Sequence, residues 1–360
     1  MDRSEHQSTP FSATDGLSRV PGQAEGGHKP MVVCRPMGTL SWSDNARSSG
    51  DLPAMTLHPE SQRLLDELTA LDLPPISSLT AEEARLRLEP PSGPLQEVAA
   101  IVEESFEGPG GAIRARRYQP LLASDEPTNL IVFFHGGGWV IGSVETHDDT
   151  CRRLANACAA VVVSIDYRLA PESPFPAAVD DCLTGLQWAV GCRDSWGVNG
   201  ITAVAGDSAG GNLAAVVAQR AFECGSPALD LQLLIYPVTD CNLDTDSYVE
   251  FSDGHGLTRD AMDWFWQLYL GEQDATQPDA SPLRAESLQG LPAAYVVTAQ
   301  YDTLRDEGDA YARRLEQAGV EVTWECVPGL LHGFLMHADQ IQEARDVITR
   351  IGQLVRSTGE

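Results

Sequence analysis

Lysine is almost missing from this 360-residue chain: Lys29 stands alone, and arginine supplies the rest of the 24 basic residues, set against 52 acidic ones. The resulting formal charge of -28 excludes nucleic-acid backbone and anionic membrane as partners, because like charges repel before contact is made. Small neutral substrates are compatible with it. Long apolar runs are also lacking, since no stretch reaches the roughly 18 to 20 uninterrupted residues that a membrane span needs. The start, MDRSEHQSTPFSATDG, has no basic segment followed by an apolar one, which removes the usual grounds for expecting secretion and leaves the cytoplasm as the expected compartment. None of the eight cysteines (Cys34, Cys151, Cys158, Cys182, Cys192, Cys224, Cys241, Cys326) forms a C-x-x-C pair, so they read as buried free thiols.

What is present is enough apolar material, 42% of the residues, to bury the core of one large domain with an appendage. Residues 1–54 are rich in Ser, Gly, Pro and Asp without helical or strand period, and are expected to be a disordered extension. Met55 then opens a periodic segment with Leu57, Leu64, Leu65, Leu68 and Leu71 along one helical face, which makes Met55 a candidate true start. A second helix is predicted over Ala81 to Leu88, after the capping signal Thr80-x-x-Glu83 and before Pro90-Pro91. These helices occupy residues 55–95, and the rest of the chain, 96–360, carries the sheet.

The strand-like runs there are Val98 to Val102, Ile113 to Tyr118, Leu130 to Phe134, Ala160 to Ile165, Ile201 to Ala205, Leu231 to Tyr236, Ala293 to Thr298 and Val322 to Val327. After the third they alternate with helical patterns. Phe175, Ala178, Val179, Cys182, Leu183, Leu186 and Val190 mark one apolar stripe, and Ile341, Ala344, Val347, Ile348, Ile351, Leu354 and Val355 mark another. This alternation predicts an α/β fold, a mostly parallel eight-stranded sheet with helices on both faces, whose chemistry sits at the carboxyl ends of strands. An exposed last strand around Val322 to Val327 would offer an edge for pairing into a homodimer.

The most informative segment runs from Ile201 through Gly206-Asp207-Ser208-Ala209-Gly210 into a helical pattern over Leu213 to Phe222. A Gly-x-Ser-x-Gly between strand and helix holds its serine on a sharp, strained turn and exposes the hydroxyl. The plain alternative, a glycine-rich helix start with an incidental serine, does not account for the strand before it. Ser208 is the expected nucleophile. The helix start beside it offers free N–H groups, Ala209 first among them, to a developing oxyanion.

A buried strand also leads into His135-Gly136-Gly137-Gly138-Trp139. Stabilising an oxyanion requires several N–H groups aimed at one point with no side chains in the way, and bare glycine backbone supplies this. Two of the three glycines are expected to donate, with Gly137 and Gly138 preferred over Gly136. A glycine-rich loop alone would be ordinary, but beside the Ser208 turn it takes on this role.

In such a site the acid and then the histidine follow the serine in chain order. Of the histidines after Ser208, His332 lies in Pro328-Gly-Leu-Leu-His332-Gly-Phe, a glycine-flanked loop after the last strand; His337 is expected to face solvent, and His255 sits in a polar stretch away from strand ends. His332 is therefore the expected general base. For the acid, Asp302 directly follows the strand from Ala293, while Asp240 ends the preceding strand region and Asp306 suits a helix N-terminus. Asp302 is preferred. Acyl transfer through a serine needs no metal or cofactor.

Four blocks make the chain resemble the bacterial hormone-sensitive-lipase-like carboxylesterases, often called family IV, of the α/β-hydrolase superfamily. They are His135-Gly-Gly-Gly-Trp139, Asp166-Tyr-Arg-Leu-Ala-Pro-Glu172, Gly206-Asp-Ser-Ala-Gly210, and Asp302-Thr-Leu-Arg-Asp-Glu-Gly308 with His332-Gly-Phe334, and the resemblance extends from about residue 57 to the C-terminus. It implies the α/β-hydrolase fold, a helical cap built from the N-terminal helices and an insertion at about 240–285, and hydrolysis of esters with short acyl chains. Tyr248, Phe251, Trp264, Phe265, Trp266 and Tyr269 crowd that insertion, most of them expected to pack it and some to line a pocket. Two features depart from the pattern: the extension before Met55, and Thr303 where the pattern usually has proline, which loosens the turn but leaves the Asp302 carboxylate in place. Arg168 is expected to be scaffold. A ligand-binding receptor on the same fold, like the gibberellin receptor that lacks the histidine, is disfavoured by the intact His332, whereas amide or lactone cleavage by the same triad stays open.

Overall fold

Eight strands form one sheet in the computed structural model, which describes residues 56–91, 93–122 and 128–358. The expected extension at 1–54, with Cys34 and the candidate start Met55, lies outside the described residues. The strands are β1 (Ala100–Gly108), β2 (Gly111–Gln119), β3 (Asn129–Phe134), β4 (Ala160–Asp166), β5 (Thr202–Asp207), β6 (Leu231–Ile235), β7 (Ala293–Tyr301) and β8 (Val322–Leu331). Their order in the sheet is β1-β2-β4-β3-β5-β6-β7-β8. β2 runs antiparallel to both neighbours, and every other pair is parallel.

β1 begins two residues later than its apolar run suggests and continues to Gly108. Its second half is charged, and cross-strand pairing carries it: Arg117 Nε donates to Glu104 Oε1 at 2.7 Å, and Arg116 is ion-paired with Glu103. β6 stops at Ile235, one residue short of expectation, because Tyr236 takes φ 35, outside the extended region.

The helices are α1 (Pro59–Ala70), α2 (Ala81–Arg85), α3 (Asp148–Ala157), α4 (Ala177–Gly191), α5 (Ala209–Cys224), α6 (Asp246–Glu250), α7 (Arg259–Leu270), α8 (Arg305–Gln317) and α9 (Gln342–Ser357). The predicted capping box opens α2: Glu83 N–H donates to Thr80 Oγ1 at 3.2 Å, and Thr80 N–H donates to Glu83 Oε2 at 2.9 Å. α2 ends at Arg85, short of Leu88; Leu86 projects into solvent, and the Arg85 guanidinium reaches to Val140 O and Glu172.

Alternation along the strands builds two cores. Leu130, Val132 and Phe134 of β3 belong to one core together with Val179 and Leu186 of α4, Leu213 of α5 and Leu315 of α8. Ile131 and Phe133 face the other side, against Leu154 of α3 and Ile348 and Ile351 of α9. Each such fully buried side chain contributes roughly 1.5 to 3 kcal/mol relative to exposure. The thiol expectation needs correction: Cys151, Cys158, Cys182 and Cys326 are buried, but Cys192 and Cys241 are half-buried and Cys224 is exposed, lying on the outer end of α5 where the chain leaves the core.

The connection after β3 leads to β4 on one side of it, whereas the chain returns through β5 on the other side and proceeds outward from there to β6. The strand order therefore reverses between β3 and β5, the position at which open sheets of this kind place their sites, at the carboxyl ends of the strands. β3 leads there into the buried His135 and β5 into Ser208.

Candidate active site

Ser208 takes φ 57 and ψ -120, a left-handed backbone that costs a non-glycine residue of order 1 to 3 kcal/mol and persists only where its surroundings impose it. Here they do so through hydrogen bonds: Ser208 N–H donates to Ile235 O at 2.9 Å, and Ser208 O accepts from Asn212 N–H at 3.0 Å and Val238 N–H at 3.2 Å. α5 can start this close to the sheet because of glycine. A Cβ on Gly210 would stand 1.9 Å from Phe134 O, closer than any side chain can approach.

His332 Nε2 lies 3.0 Å from Ser208 Oγ, and His332 Nδ1 lies 2.7 Å from Asp302 Oδ2. Asp302 is 1% exposed, and its other oxygen accepts the Leu304 N–H at 2.9 Å, which fixes the carboxylate plane toward the imidazole. Gly333 follows His332 in the left-handed region at φ 79 and turns the chain sharply away. The ring of Tyr236 packs edge-on against His332 with centroids 4.8 Å apart. Burial pushes the Tyr236 hydroxyl well above its ordinary pKa, so it stays protonated beside the site.

The rival groups are occupied elsewhere. Asp240 pairs with Arg284 at 2.5 Å, and Asp306 accepts from Ser247 N–H at 2.8 Å and Arg305 Nε at 2.9 Å. His337 is half-buried and not solvent-facing as expected, because a 3-10 turn over Phe334–His337 folds it inward; burial lowers its pKa, opposed by Asp339. His255 also departs from expectation, since it stacks on Tyr301, the last residue of β7, with centroids 5.5 Å apart.

The glycine loop divides its N–H groups. Gly136 N–H donates to Asp207 Oδ1 at 2.9 Å and lies 3.3 Å from His147 Nε2, so it is not free for an oxyanion. Gly137 and Gly138 N–H have no acceptor among the described residues, and Ala209 stands at the first position of α5, where backbone N–H groups have no intrahelical partner. Gly138 has φ 58, and a Cβ there would meet Phe265 Cδ1 at 2.2 Å. Phe265 of α7 thus lies directly over the loop. Next to it Trp139 stacks on Tyr269 with centroids 4.1 Å apart and planes 5° from parallel. Tyr248, Phe251, Trp266 and Tyr269 are buried, as packing residues of that segment should be.

Arg168 forms a two-pronged pair with the buried Asp181, Nε to Oδ2 at 2.8 Å and Nη2 to Oδ1 at 2.7 Å, the structural role expected for it. Arg85 of α2 reaches Glu172 in the same block, at 2.9 and 2.6 Å, and Val140 O on the glycine loop at 2.8 Å. The Ser247 hydroxyl donates to the backbone O of Thr303 at 2.7 Å, which anchors the turn that lacks proline. Among the described residues no group of three or more His, Cys, Asp or Glu side chains is arranged to hold a metal ion, and no helix is long and apolar enough to cross a membrane.

Neither Asp207, inside the Ser208 turn, nor His147 stands out in the sequence as a site residue. Both are buried under the glycine loop. The sequence carries no mark of this, because the polar run Thr146-His147-Asp148-Asp149 reads as a solvated helix start and only the fold buries it.

The alpha/beta hydrolase fold family profile matches residues 131–336. The esterase LipI of Mycobacterium tuberculosis is 41% identical over 274 residues, covering 75% of this chain and 86% of LipI. An ethyl acetate hydrolase of Pseudomonas putida is 35% identical over 288 residues, covering 77% of this chain and 90% of its own length. Among solved structures, the ester-hydrolase EH1AB1 from the metagenome of Lake Arreo superposes with a TM-score of 0.79 at 40% identity, over 84% of this chain and 99% of that one.

Proposed function

The chain belongs to the α/β-hydrolase fold family, in its hormone-sensitive-lipase-like esterase branch, and from that premise we propose that Ser208, His332 and Asp302 carry its chemistry. The protein is a serine carboxylesterase of short-chain esters. His332 Nε2 removes the Ser208 Oγ proton as that oxygen attacks the ester carbonyl. The tetrahedral oxyanion accepts hydrogen bonds from the N–H groups of Gly137, Gly138 and Ala209. His332 returns the proton to the departing alcohol. Water then attacks the acyl carbon as His332 takes its proton, and His332 returns that proton to Ser208 Oγ as the acid departs. Asp302 holds the imidazole with Nε2 toward the serine.

One observation carries this reading: Ser208 Oγ, His332 Nε2, His332 Nδ1 and Asp302 Oδ2 lie in a line of contacts of 3.0 and 2.7 Å at a strained strand-to-helix turn. The helices within 55–95 and the segment at about 240–285 form the cap in this reading, and the position of Phe265 over Gly138 supports it. The proposed compartment is the cytoplasm. The proposed assembly is a homodimer along the outer edge of β8, which light scattering of the purified chain tests directly.

Hydrolysis of p-nitrophenyl esters from acetate to palmitate, with an anilide and a lactone alongside and Ser208→Ala as control, tests the function. Turnover that peaks on short acyl chains and vanishes in the variant is expected. Activity that survives Ser208→Ala would overturn the assignment of the nucleophile, and a preference for the anilide or lactone would move the substrate class.

A further inference from the structure

Outside the triad, the site contains a second carboxylate–imidazole pair. Asp207 closes β5 immediately before the nucleophile and is 2% exposed. Its Oδ1 accepts the Gly136 N–H at 2.9 Å, and its two oxygens lie 3.3 and 3.4 Å from Nε2 of the fully buried His147. His147 Nδ1 is held at 2.9 Å by Thr146 Oγ1. A carboxylate only accepts, so in a hydrogen bond between the two His147 Nε2 is the donor. Neither residue has a hydrogen bond to Ser208 Oγ or to His332 among the described residues, which excludes direct proton relay to the nucleophile.

The pair connects three places in the chain. Gly136 opens the glycine loop, His147 ends it at the N-cap of α3, and Asp207 is covalently joined to Ser208. A glycine loop has more backbone freedom than any other, yet oxyanion donors must stand within a few tenths of an ångström of their target. Burying a carboxylate is also a poor way to gain stability, because apolar side chains of similar volume usually do as well or better. Its use here is therefore geometric.

We propose that Asp207 and His147 are positioning residues of the oxyanion hole, tying both ends of the 136–147 loop to the strand that carries Ser208 and so setting the reach of the Gly137 and Gly138 N–H groups. This deepens the reading of Ser208 as nucleophile and rests on it. Burial works against the Asp207 charge, but His147, His135 and the Gly136 N–H together hold its carboxyl below the usual carboxylate range, so the anchor is charged throughout the working range of an esterase.

The test uses the full chain and four substitutions: Asp207→Asn, which keeps an oxygen acceptor for Gly136; Asp207→Ala, which removes it; His147→Phe, which keeps a ring without a donor; and His147→Gln, which returns an N–H near the place of Nε2. For each, kcat and KM on p-nitrophenyl acetate, the inhibition constant of a trifluoromethyl ketone and the melting temperature are measured. The ketone forms a tetrahedral adduct whose oxyanion occupies the hole. Asp207→Ala and His147→Phe are expected to lower kcat about ten- to a hundredfold with KM within about twofold, to weaken the ketone by the same factor, and Asn and Gln to recover most of the loss. An unchanged kcat, or a loss that follows the melting temperature while the folded fraction binds the ketone normally, overturns the proposal. Should the alanine variant not fold, the Phe and Gln pair at position 147 decides alone. Wild-type protein that neither turns over the ester nor binds the ketone would instead remove the reading of Ser208, and this inference with it.

Discussion

Tyr301 and Leu331 are paired across β7 and β8, and each is followed directly by a member of the proposed triad, Asp302 and His332. The register shift between Ala299 and Tyr301 moves this pairing by the amount needed to bring Asp302 and His332 to 2.7 Å. The two strands thus set the acid–base distance before any loop contributes.

The acid is identified by substitution. Asp302→Asn is expected to leave KM nearly unchanged and to lower kcat about ten-thousandfold, because an amide holds the imidazole in the wrong tautomer. Asp240→Asn and Asp306→Asn, whose carboxylates are engaged with Arg284 and Arg305, are expected to stay within about fivefold of wild type. Steady-state kinetics on p-nitrophenyl butyrate separates the three. A loss in Asp306→Asn equal to that in Asp302→Asn contradicts the geometry.

At Gly138 both backbone and space require glycine. Gly138→Ala would place its Cβ 2.2 Å from Phe265 Cδ1 at a φ of 58, so the loop must shift. A loss of about a hundredfold in kcat is expected, the size of one missing oxyanion donor. Combining it with Phe265→Ala removes the collision and leaves only the left-handed strain, about 1 to 2 kcal/mol, so the double variant should regain activity. Equal activity of the single and double variants would show that Phe265 does not press on the loop.

Glu307 gives a pH-dependent stability. Its Oε1 accepts the Thr239 N–H at 2.7 Å, yet burial pushes its carboxyl well above the ordinary 4.5, against those backbone hydrogen bonds, so the folded chain keeps a proton that the unfolded chain releases. The stabilisation from that proton is complete below the unfolded pKa and is lost as pH rises toward the folded one. Glu307→Gln retains the acceptor and cannot ionise. The stability difference between variant and wild type, from urea melts at pH 5 and pH 9, should therefore shift in the variant's favour by up to about 1.4 kcal/mol per pH unit within the window. A difference independent of pH contradicts a protonated Glu307.

Arg168 lies in a motif block but its partner is structural. Arg168→Ala leaves the fully buried Asp181 without its guanidinium, which is expected to cost about 3 kcal/mol or more of stability. At a temperature where the variant is folded, kcat and KM should match wild type. A kinetic defect in fully folded protein would instead make Arg168 part of the site.

The sequence by itself determined the order and type of the elements, because strand alternation, helical stripes, the capping box at Thr80 and the strand–turn–helix around Ser208 are local patterns that backbone physics reads within a few residues. That Ser208, His332 and Asp302 come together was legible for the same reason: each stands just past an apolar run, where a strand must end. Tertiary structure alone decided what shares a space across long separations. It joined Gly136 to Asp207, which diverts one of the three loop glycines from the oxyanion; it buried His147 and turned His337 inward; it laid Phe265 over Gly138; and it carried β1 through its charged half. For Gly136, His147 and Gly138 the deciding partner is distant in the chain, while for β1 and His337 it is a neighbouring strand or turn; in each case burial or a contact between side chains and backbone decides, and neither leaves a periodic mark on the sequence.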